Sequence, residues 1–281
     1  MPQKISVLFP VYIKDKPPWV RMSLESLLNQ TLLPHEIVVI YDGPVTREVD
    51  NVVISTSQNA LPVIFNIIKI PNNIGLGNAL NIGIKNAQNE LLARMDADDV
   101  AEPDRFRIQA VRISARQDNA ILGGQTIEYD EQMSTVISKR IVPLGSESIR
   151  KTLSIINPMN HMTIVYKKSV VLSVGGYTEV KFYEDYLLWH KISQAGWALD
   201  NVPEVLVRVR AGENMINRRR GLKVFSGELK FQRALHNKKY ITNQIFVRNI
   251  FIRAIPRLFP KPIFPFIYRK SRRYLLSEEP R

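Results

Sequence analysis

The chain has 281 residues, of which 45% are hydrophobic and none is cysteine. It is long enough to bury one large core or two modest ones, and the lack of cysteine excludes disulfides, zinc–thiolate sites and cysteine nucleophiles. The net charge is +13, yet residues 1 to 207 hold 20 Lys/Arg against 22 Asp/Glu, while residues 208 to 281 hold 19 against 4. All of the positive excess therefore belongs to the last quarter of the chain.

Residues 1 to 115 alternate short apolar runs with helical patterns, as parallel βαβ units do. The first apolar run is too short for a signal peptide and predicts a buried strand, and no run reaches the ~18 to 20 residues of a membrane span. The predicted strands are 5 to 11, 37 to 41, 63 to 70 and 91 to 95, and the predicted helices are 20 to 30, 47 to 58, one ending near 86, and 103 to 116. In a doubly wound sheet, the strand ends at Pro10, Asp42 and Asp96 meet along one edge.

Three carboxylates follow the apolar run 91 to 95 within four residues: Asp96, Asp98 and Asp99. Carboxylates this close repel each other, and a metal ion or several Lys/Arg donors would relieve the repulsion. Asp-x-Asp at the carboxyl end of a buried strand indicates a site for a hard metal ion such as Mg²⁺ or Mn²⁺. A solvated acidic turn is the alternative, and it would be favoured if the motif stood alone.

The pattern changes after Ile121. Residues 128 to 142 are predicted to form antiparallel strands around a turn, residues 161 to 166 a further strand, and residues 183 to 195 a helix. No Gly/Ser/Pro-rich linker separates this half from the first, so we expect a continuous core that changes character. From about Asn217 the chain is predicted to be helical and basic.

The basic C-terminal segment mixes Arg and Lys with Ile, Leu and Phe. This mixture suits an anionic membrane surface, because burial of apolar side chains adds to an attraction of ~1 kcal/mol per Lys or Arg. The residues predicted to contact the membrane are Arg248, Arg253, Arg257, Arg272 and Arg273. A nucleic-acid-binding patch is the second interpretation, and a solvated charged face over a small helical core is the third.

Several short motifs occur in a fixed order along the chain. They are Phe9-Pro10-Val11-Tyr12, Asp42-Gly43, Asn73-x-Gly75-x-x-x-Ala79-x-Asn81-x-Gly83, Asp96-Ala97-Asp98-Asp99, Gly175-Gly176-Tyr177 and Glu184-Asp185-Tyr186-x-Leu188-Trp189. As a set, over about residues 4 to 210, they resemble the family 2 glycosyltransferases with the glycosyltransferase-A fold. The continuation into the basic tail resembles the branch that builds bacterial O-antigens, capsules and exopolysaccharides.

The resemblance implies an α/β fold with a mostly parallel central sheet of Rossmann-like type, mixed strands in the acceptor half and a basic helical C-terminal segment. Residues 1 to 210 would form the catalytic domain, with 1 to 120 as the nucleotide-sugar-binding half and 121 to 210 as the acceptor half. Residues 211 to 281 would form the membrane-associating segment.

The resemblance also assigns roles in the donor half. Asp42 would accept the imide hydrogen of uracil, and Tyr41, which stands where the family usually has a first Asp, is a candidate to stack on the base. Asp98 would coordinate Mg²⁺ or Mn²⁺, Asp96 would contact the ribose or the metal, and Asp99 would position Arg94 or support the metal ligands. The predicted nucleotide-sugar contacts are Pro10, Tyr12, Asp42, Asn73, Gly75, Asn78, Arg94, Asp96 and Ala97.

In the acceptor half, Asp185 is predicted to be the catalytic base. Direct displacement at an anomeric carbon needs a carboxylate that takes the proton of the acceptor hydroxyl. The alternative is that Glu184 and Asp185 only stabilise the start of a helix through its dipole, and both roles can hold at once. The residues predicted to contact the acceptor or phosphate are Glu184, His161, Gly176 and Tyr177.

These features predict an inverting glycosyltransferase that moves a hexose from a UDP-sugar to a lipid-linked, polyprenyl diphosphate glycan. Because the chain lacks the Gln-x-x-Arg-Trp motif of processive members, it should add one sugar and release the product. We expect it to be cytoplasmic and peripheral on the cytoplasmic face of the inner membrane, with no nucleic-acid partner. A nucleotidyltransferase acting on sugar phosphates is the alternative enzyme, and it would need a basic Gly-rich loop near residue 10, where Pro10-Val11-Tyr12-Ile13 stands instead.

Overall fold

The computed structural model describes residues 3–180, 182–211 and 221–259. The N-terminal half contains strands β1 (Ile5–Val11), β2 (Glu36–Asp42), β3 (Ile64–Ile70) and β4 (Leu91–Arg94), and helices α1 (Pro17–Leu28), α2 (Arg47–Gln58) and α3 (Leu76–Asn86). Every residue of β1, β2 and β4 is buried, as expected for parallel strands covered by helices on both faces. The predicted alternation of strands and helices is confirmed.

The C-terminal half is more varied. Its strands are β5 (Val100–Ala101), β6 (Asn119–Tyr129), β7 (Val136–Arg140), β8 (Val165–Lys167) and β9 (Ala198–Arg210). Its helices are α4 (Arg105–Ser114), α5 (Ser146–Leu153), α6 (Lys168–Ser173), α7 (Glu184–Gln194), α8 (Leu222–Asn237) and α9 (Asn243–Asn249). The chain continues from α9 into a π-helical turn, Ile250–Ala254, and a 3-10 turn, Ile255–Leu258.

All nine strands of the described chain belong to one sheet, in the order β3-β2-β1-β4-β8-β6-β9-β5, with β7 paired to β6. The pairs among β1 to β4 are parallel, whereas β8 runs antiparallel to both β4 and β6. Strand β9 is parallel to β6. The predicted mixture, a parallel half followed by mixed strands, is confirmed, and both halves share this one sheet.

One prediction for the C-terminal half is wrong, and one strand has no counterpart among the predictions. Residues 161 to 166 are not a continuous strand, because His161–Thr163 forms a 3-10 turn in which the Thr163 hydroxyl donates to the Asn160 carbonyl at 2.7 Å. Strand β9 was not predicted, since Pro203 interrupts its pattern, but the alternation from Val205 to Arg210 was a usable signal.

Helix α8 packs on the same core as α7. Its Phe231 is fully buried and stacks on Tyr183 with ring centroids 4.7 Å apart. In the described ranges, no helix combines the length and the apolar character that crossing a bilayer requires.

Candidate active site

The three carboxylates that follow β4 converge as predicted. Asp96, Asp98 and Asp99 each offer an oxygen, and these oxygens lie within 4.8 Å of one another. Burial, together with the charge of Asp96, raises the pKa of Asp98 to about 6. Asp99 is 2% exposed, and burial and its two acidic neighbours raise its pKa well above the usual range. Burial and the charge of neighbouring carboxylates therefore both oppose ionisation of Asp98 and Asp99.

Two arginines organise the carboxylate cluster. The Arg94 guanidinium forms an ion pair with both oxygens of Asp96. Because the Arg94 side chain is only 4% exposed, Asp96 is its contact with the carboxylate cluster. Asp99 instead accepts a hydrogen bond from the Arg210 backbone N–H at 3.0 Å, while the Arg210 Nε donates to the Asp98 carbonyl at 3.1 Å. Arg94 is thus paired with Asp96 rather than Asp99, and Asp99 joins the end of β9 to the carboxylate loop.

The carboxylate cluster suits a hard divalent cation. Its donors are carboxylate oxygens, which Mg²⁺ and Mn²⁺ prefer over the imidazoles and thiolates of softer metals. Arg94 pairs with Asp96, whereas the pKa values of Asp98 and Asp99 are raised first by burial and then by the charge of Asp96, so an added cation would favour their ionised forms. The residues present therefore fit the predicted metal, which Asp96, Asp98 and Asp99 would hold.

Asp15 is a further carboxylate near this cluster that the sequence did not reveal. It lies in the loop between β1 and α1 and accepts a hydrogen bond from the Tyr12 N–H at 2.9 Å. Burial raises its pKa to about 7, and the charges of Asp98 and Asp96 contribute to the increase. No local pattern marks Asp15, because its proximity to the cluster arises from the return of β4 beside β1.

Asp42 anchors the loop before α3. Its carboxylate accepts hydrogen bonds from the Asn73 side chain at 2.9 Å, the Ile74 N–H at 2.7 Å and the Gly75 N–H at 3.1 Å. Gly43 has φ +88°, and a Cβ there would lie 2.8 Å from the Asn73 nitrogen, so only glycine permits this approach. The contact between Asp42 and uracil stays a prediction, because in this structure the Asp42 carboxylate accepts its hydrogen bonds from the loop before α3.

The remaining predicted donor residues occupy different environments. Tyr41 is 2% exposed and donates to Asp50 at 2.9 Å, so the expectation that it stacks on the base is wrong for this arrangement. Pro10 and Ala97 are buried, whereas Tyr12 is 42% exposed. Asn78 donates to the Ile74 carbonyl at 2.9 Å and so stiffens the start of α3.

Asp185 lies in the first turn of α7, where the helix dipole favours negative charge. Its two oxygens accept hydrogen bonds from the Asn157 side chain at 2.8 Å and the Tyr186 N–H at 2.7 Å. Burial raises the pKa of Asp185, and these two hydrogen bonds oppose the increase. The adjacent Glu184 is partly buried, and burial also raises its pKa. Asn157 was missed from the sequence, where a lone Asn carries no signal.

The Gly175-Gly176-Tyr177 loop connects the donor and acceptor halves. The Asn81 side chain of α3 accepts from the Tyr177 N–H at 2.8 Å and donates to the Tyr177 carbonyl at 2.9 Å. Gly176 has φ +62°, and a Cβ there would lie 2.4 Å from the Asn81 oxygen. A larger residue at this position would therefore clash with Asn81. His161 lies 2.8 Å from the Tyr177 hydroxyl, and burial lowers its pKa well below the usual value, which keeps the imidazole neutral.

Two of the arginines predicted to contact the membrane are engaged inside the protein. Arg253 and Arg257 have side chains 11% and 13% exposed, and both pair with the buried Glu228. Their predicted membrane contact is wrong, because a buried carboxylate needs a cationic partner. Arg248 is partly buried, and Arg272 and Arg273 lie outside the described residues, so their membrane contact stays a prediction.

The sheet, with carboxylates at the end of β4 and at the start of α7, defines a glycosyltransferase-A fold. The chain is similar to S. aureus TarS in complex with UDP-GlcNAc, with a TM-score of 0.66 and 15% identity over 99% of this chain and 82% of that chain. It is also similar to the mannosyltransferase PcManGT from Pyrobaculum calidifontis, in complex with GDP-Man and Mn²⁺, with a TM-score of 0.64 and 14% identity over 97% of this chain and 69% of that one. At these identities the likeness shows the fold alone.

Sequence comparison then gives the family. The family described as Glycosyl transferase family 2 matches residues 6–172. The amylovoran biosynthesis glycosyltransferase AmsE of Erwinia amylovora is 36% identical over 271 residues, covering 95% of this chain and 99% of the relative. The UDP-Gal:alpha-D-GlcNAc-diphosphoundecaprenol beta-1,3-galactosyltransferase of Escherichia coli is 35% identical over 275 residues, covering 97% and 98%. The chain belongs to glycosyltransferase family 2, which favours a glycosyltransferase over the nucleotidyltransferase alternative.

Proposed function

We propose that the chain is an inverting, non-processive hexosyltransferase that uses a UDP-sugar and a polyprenyl diphosphate-linked glycan in cell-surface polysaccharide synthesis. The observation that carries this proposal is the presence of two kinds of carboxylate. Asp96, Asp98 and Asp99 form a cluster that suits a divalent cation, and Asp185 is a separate carboxylate held by hydrogen bonds. The charge of Arg94 acts on both Asp98 and Asp185, and the Tyr177 N–H of the acceptor half donates to Asn81 of the donor half at 2.8 Å, which supports a location of the two carboxylates near one another. One relative is named for amylovoran biosynthesis, and another is named for the donor UDP-Gal and a GlcNAc-diphosphoundecaprenol acceptor.

In the proposed reaction, the Asp185 carboxylate accepts the proton of the acceptor hydroxyl while that oxygen forms its bond to the anomeric carbon. Asn157 and the Tyr186 N–H hold the carboxylate in a fixed orientation for this transfer. The bond from the anomeric carbon to UDP breaks on the opposite face, so the configuration inverts. A metal ion held by Asp96, Asp98 and Asp99 would supply charge neutralisation for the diphosphate. Arg94 keeps Asp96 oriented.

The acceptor side offers a groove that suits an anionic lipid carrier. A groove of about 620 Å³ lies between the loop before α7 and helix α8. Its walls include the apolar Phe182 and Leu222, and its two lysines, Lys223 and Lys230, outnumber its one carboxylate, Glu179. Phe182 and Leu222 are 55% and 76% exposed, and Phe182 lies three residues before Asp185. Exposed apolar side chains beside lysines match the chemistry of a polyprenyl diphosphate, which supports the proposed acceptor class.

The proposal is tested by transfer assays with the purified chain, Mn²⁺ and a panel of UDP-Gal, UDP-Glc, UDP-GlcNAc and GDP-Man. The acceptor is a synthetic sugar diphosphate lipid, and the same sugar without diphosphate serves as the comparison. We expect transfer from a UDP-hexose, with a product whose anomeric proton coupling in NMR shows a β linkage. Retention of the donor's α configuration, or transfer from GDP-Man alone, would contradict the proposal.

A further inference from the structure

Helix α8 carries a buried ionised carboxylate next to α7. Glu228 is 0% exposed, and it accepts hydrogen bonds from the Arg253 Nε at 2.9 Å and the Tyr183 hydroxyl at 2.8 Å. Burial would raise the pKa of Glu228, but the charges of Arg253 and Arg257 outweigh burial and lower it. An apolar cluster would stabilise the fold at least as well as such a pair. The ion pair contacts two groups close to Asp185.

One group is the start of α7. Tyr183 immediately precedes α7 and is two residues before Asp185, and its hydroxyl is fixed by Glu228. Tyr186 immediately follows Asp185, and its hydroxyl accepts from the Arg253 Nη1 at 3.2 Å. The residues on both sides of the base are thus bound to one ion pair in the C-terminal segment.

The second group is the loop that carries Asn157. The Arg253 Nη1 donates to the Ile155 carbonyl at 2.6 Å, and the Asn249 side chain donates to the Ser154 carbonyl at 2.9 Å. Two residues beyond Ile155, Asn157 donates to the Asp185 carboxylate at 2.8 Å. Arg253 therefore contacts both the helix that presents the base and the loop that orients it.

We propose that Glu228 and Arg253 are positioning residues for the general base: they hold the start of α7 and the loop before Asn157 at the separation that the Asp185 hydrogen bonds require. This inference rests on the proposed function, because it assumes that Asp185 is the base. It gives the C-terminal segment a part in catalysis that is independent of any membrane contact.

The test compares four variants of the full chain: Tyr183→Phe, Arg253→Gln, Arg253→Lys and the control Arg233→Gln. Tyr183→Phe removes one hydroxyl and keeps the ring that stacks on Phe231, so it should fold even if Arg253→Gln does not. Arg233 lies on the exposed part of α8 and serves as a matched charge control. Steady-state kinetics across pH and thermal unfolding are measured for each.

We expect kcat to fall about 10-fold in Tyr183→Phe and Arg253→Gln with little change in the donor KM, since a displacement of about 1 Å can cost up to ~10²-fold. The hydrogen bonds from Asn157 and the Tyr186 N–H lower the pKa of Asp185, so weaker bonds should raise that pKa. The acid limb of the pH profile, where kcat/KM falls as the pH decreases, should then move to higher pH. Arg253→Lys should recover part of the loss, and Arg233→Gln should behave as the unmodified protein.

A purely structural role would reduce the amount of active enzyme and leave the acid limb unmoved, and that result would overturn the inference. In an Asp185→Asn background the positioning variants should cause no further loss of kcat, and an additional loss would also overturn it. If Asp185→Asn alone keeps normal turnover, the proposed base is wrong. If Asp185→Asn is inactive but Tyr183→Phe and Arg253→Gln match the unmodified protein, only the positioning inference fails.

Discussion

The two carboxylate centres of this protein compensate their charge in different ways. Burial raises the pKa of both Asp98 and Asp99, and the charge of Asp96 raises both further. Burial also raises the pKa of Asp185, but hydrogen bonds from Asn157 and the Tyr186 N–H oppose the increase there. The first centre therefore keeps a repulsion between carboxylates that a cation from outside the chain would relieve, whereas the second is stabilised by hydrogen bonds from the chain itself. Metal removal and substitution should separate the two.

The largest expected effect is at the first centre. Asp98→Asn should lower transfer by ~10³-fold or more, because it removes a charged ligand from the site that would bind the metal at the diphosphate. The fold should be kept, since the substitution relieves repulsion with Asp96. Transfer rates and circular dichroism are measured in parallel, and Asp118→Asn, which alters an exposed carboxylate paired with Arg116, is the control.

Chelation sharpens the same comparison. EDTA should abolish transfer by the unmodified chain, and Mn²⁺ should restore it. Transfer that persists both in EDTA and in Asp98→Asn would remove the metal from the reaction and return Asp96, Asp98 and Asp99 to the alternative of an acidic turn.

The second centre should affect turnover rather than donor binding. Asp185→Asn is expected to reduce kcat by ~10²-fold or more, the usual size of a general-base contribution, with little change in UDP affinity by calorimetry. Glu184→Gln should cost less. Because the base must be ionised, activity should fall as the pH drops through its pKa, and burial places that limb above the range of a free Asp. A loss confined to donor affinity would contradict the base assignment.

The difference between the centres also shows what the sequence could predict. Asp96, Asp98 and Asp99 follow a recognisable apolar strand, so local pattern was sufficient to predict both the strand and the cluster. The partners of Asp185 could not be predicted in this way. Asn157 lies 28 residues away from Asp185, and Arg253 lies 25 residues away from Glu228, so both contacts depend on how distant elements pack. The composition of the C-terminal segment predicted a charged surface, because buried and exposed arginines look alike in a sequence.

A smaller effect is expected where the second centre meets the acceptor. Lys223→Glu combined with Lys230→Glu should raise the KM for a sugar diphosphate lipid about 3- to 10-fold, since each exposed charge contributes up to ~1 kcal/mol. The KM for a soluble acceptor without diphosphate should change little. Lys238→Glu, at the far end of α8, is the matched control. An equal increase for both acceptors would show that the groove does not recognise the diphosphate.

The smallest effect is expected at the end of the chain, and its test must avoid the buried arginines. Deleting residues 245 to 281 would remove Arg253 and disturb the loop that holds Asn157, so lost activity could not be attributed to the membrane.

Deleting only residues 260 to 281 keeps Arg253 and Arg257 and removes 6 Lys/Arg and 2 Asp/Glu. We expect weaker sedimentation with anionic vesicles and a few-fold slower transfer to a lipid-linked acceptor, since each lost cation near anionic lipid is worth ~1 kcal/mol. Vesicle binding by the full chain should fall with added salt, because surface charge is screened over ~10 Å at 0.1 M ionic strength. Unchanged sedimentation after the deletion, or equal loss of activity on soluble and lipid acceptors, would show that this segment does not bind the membrane.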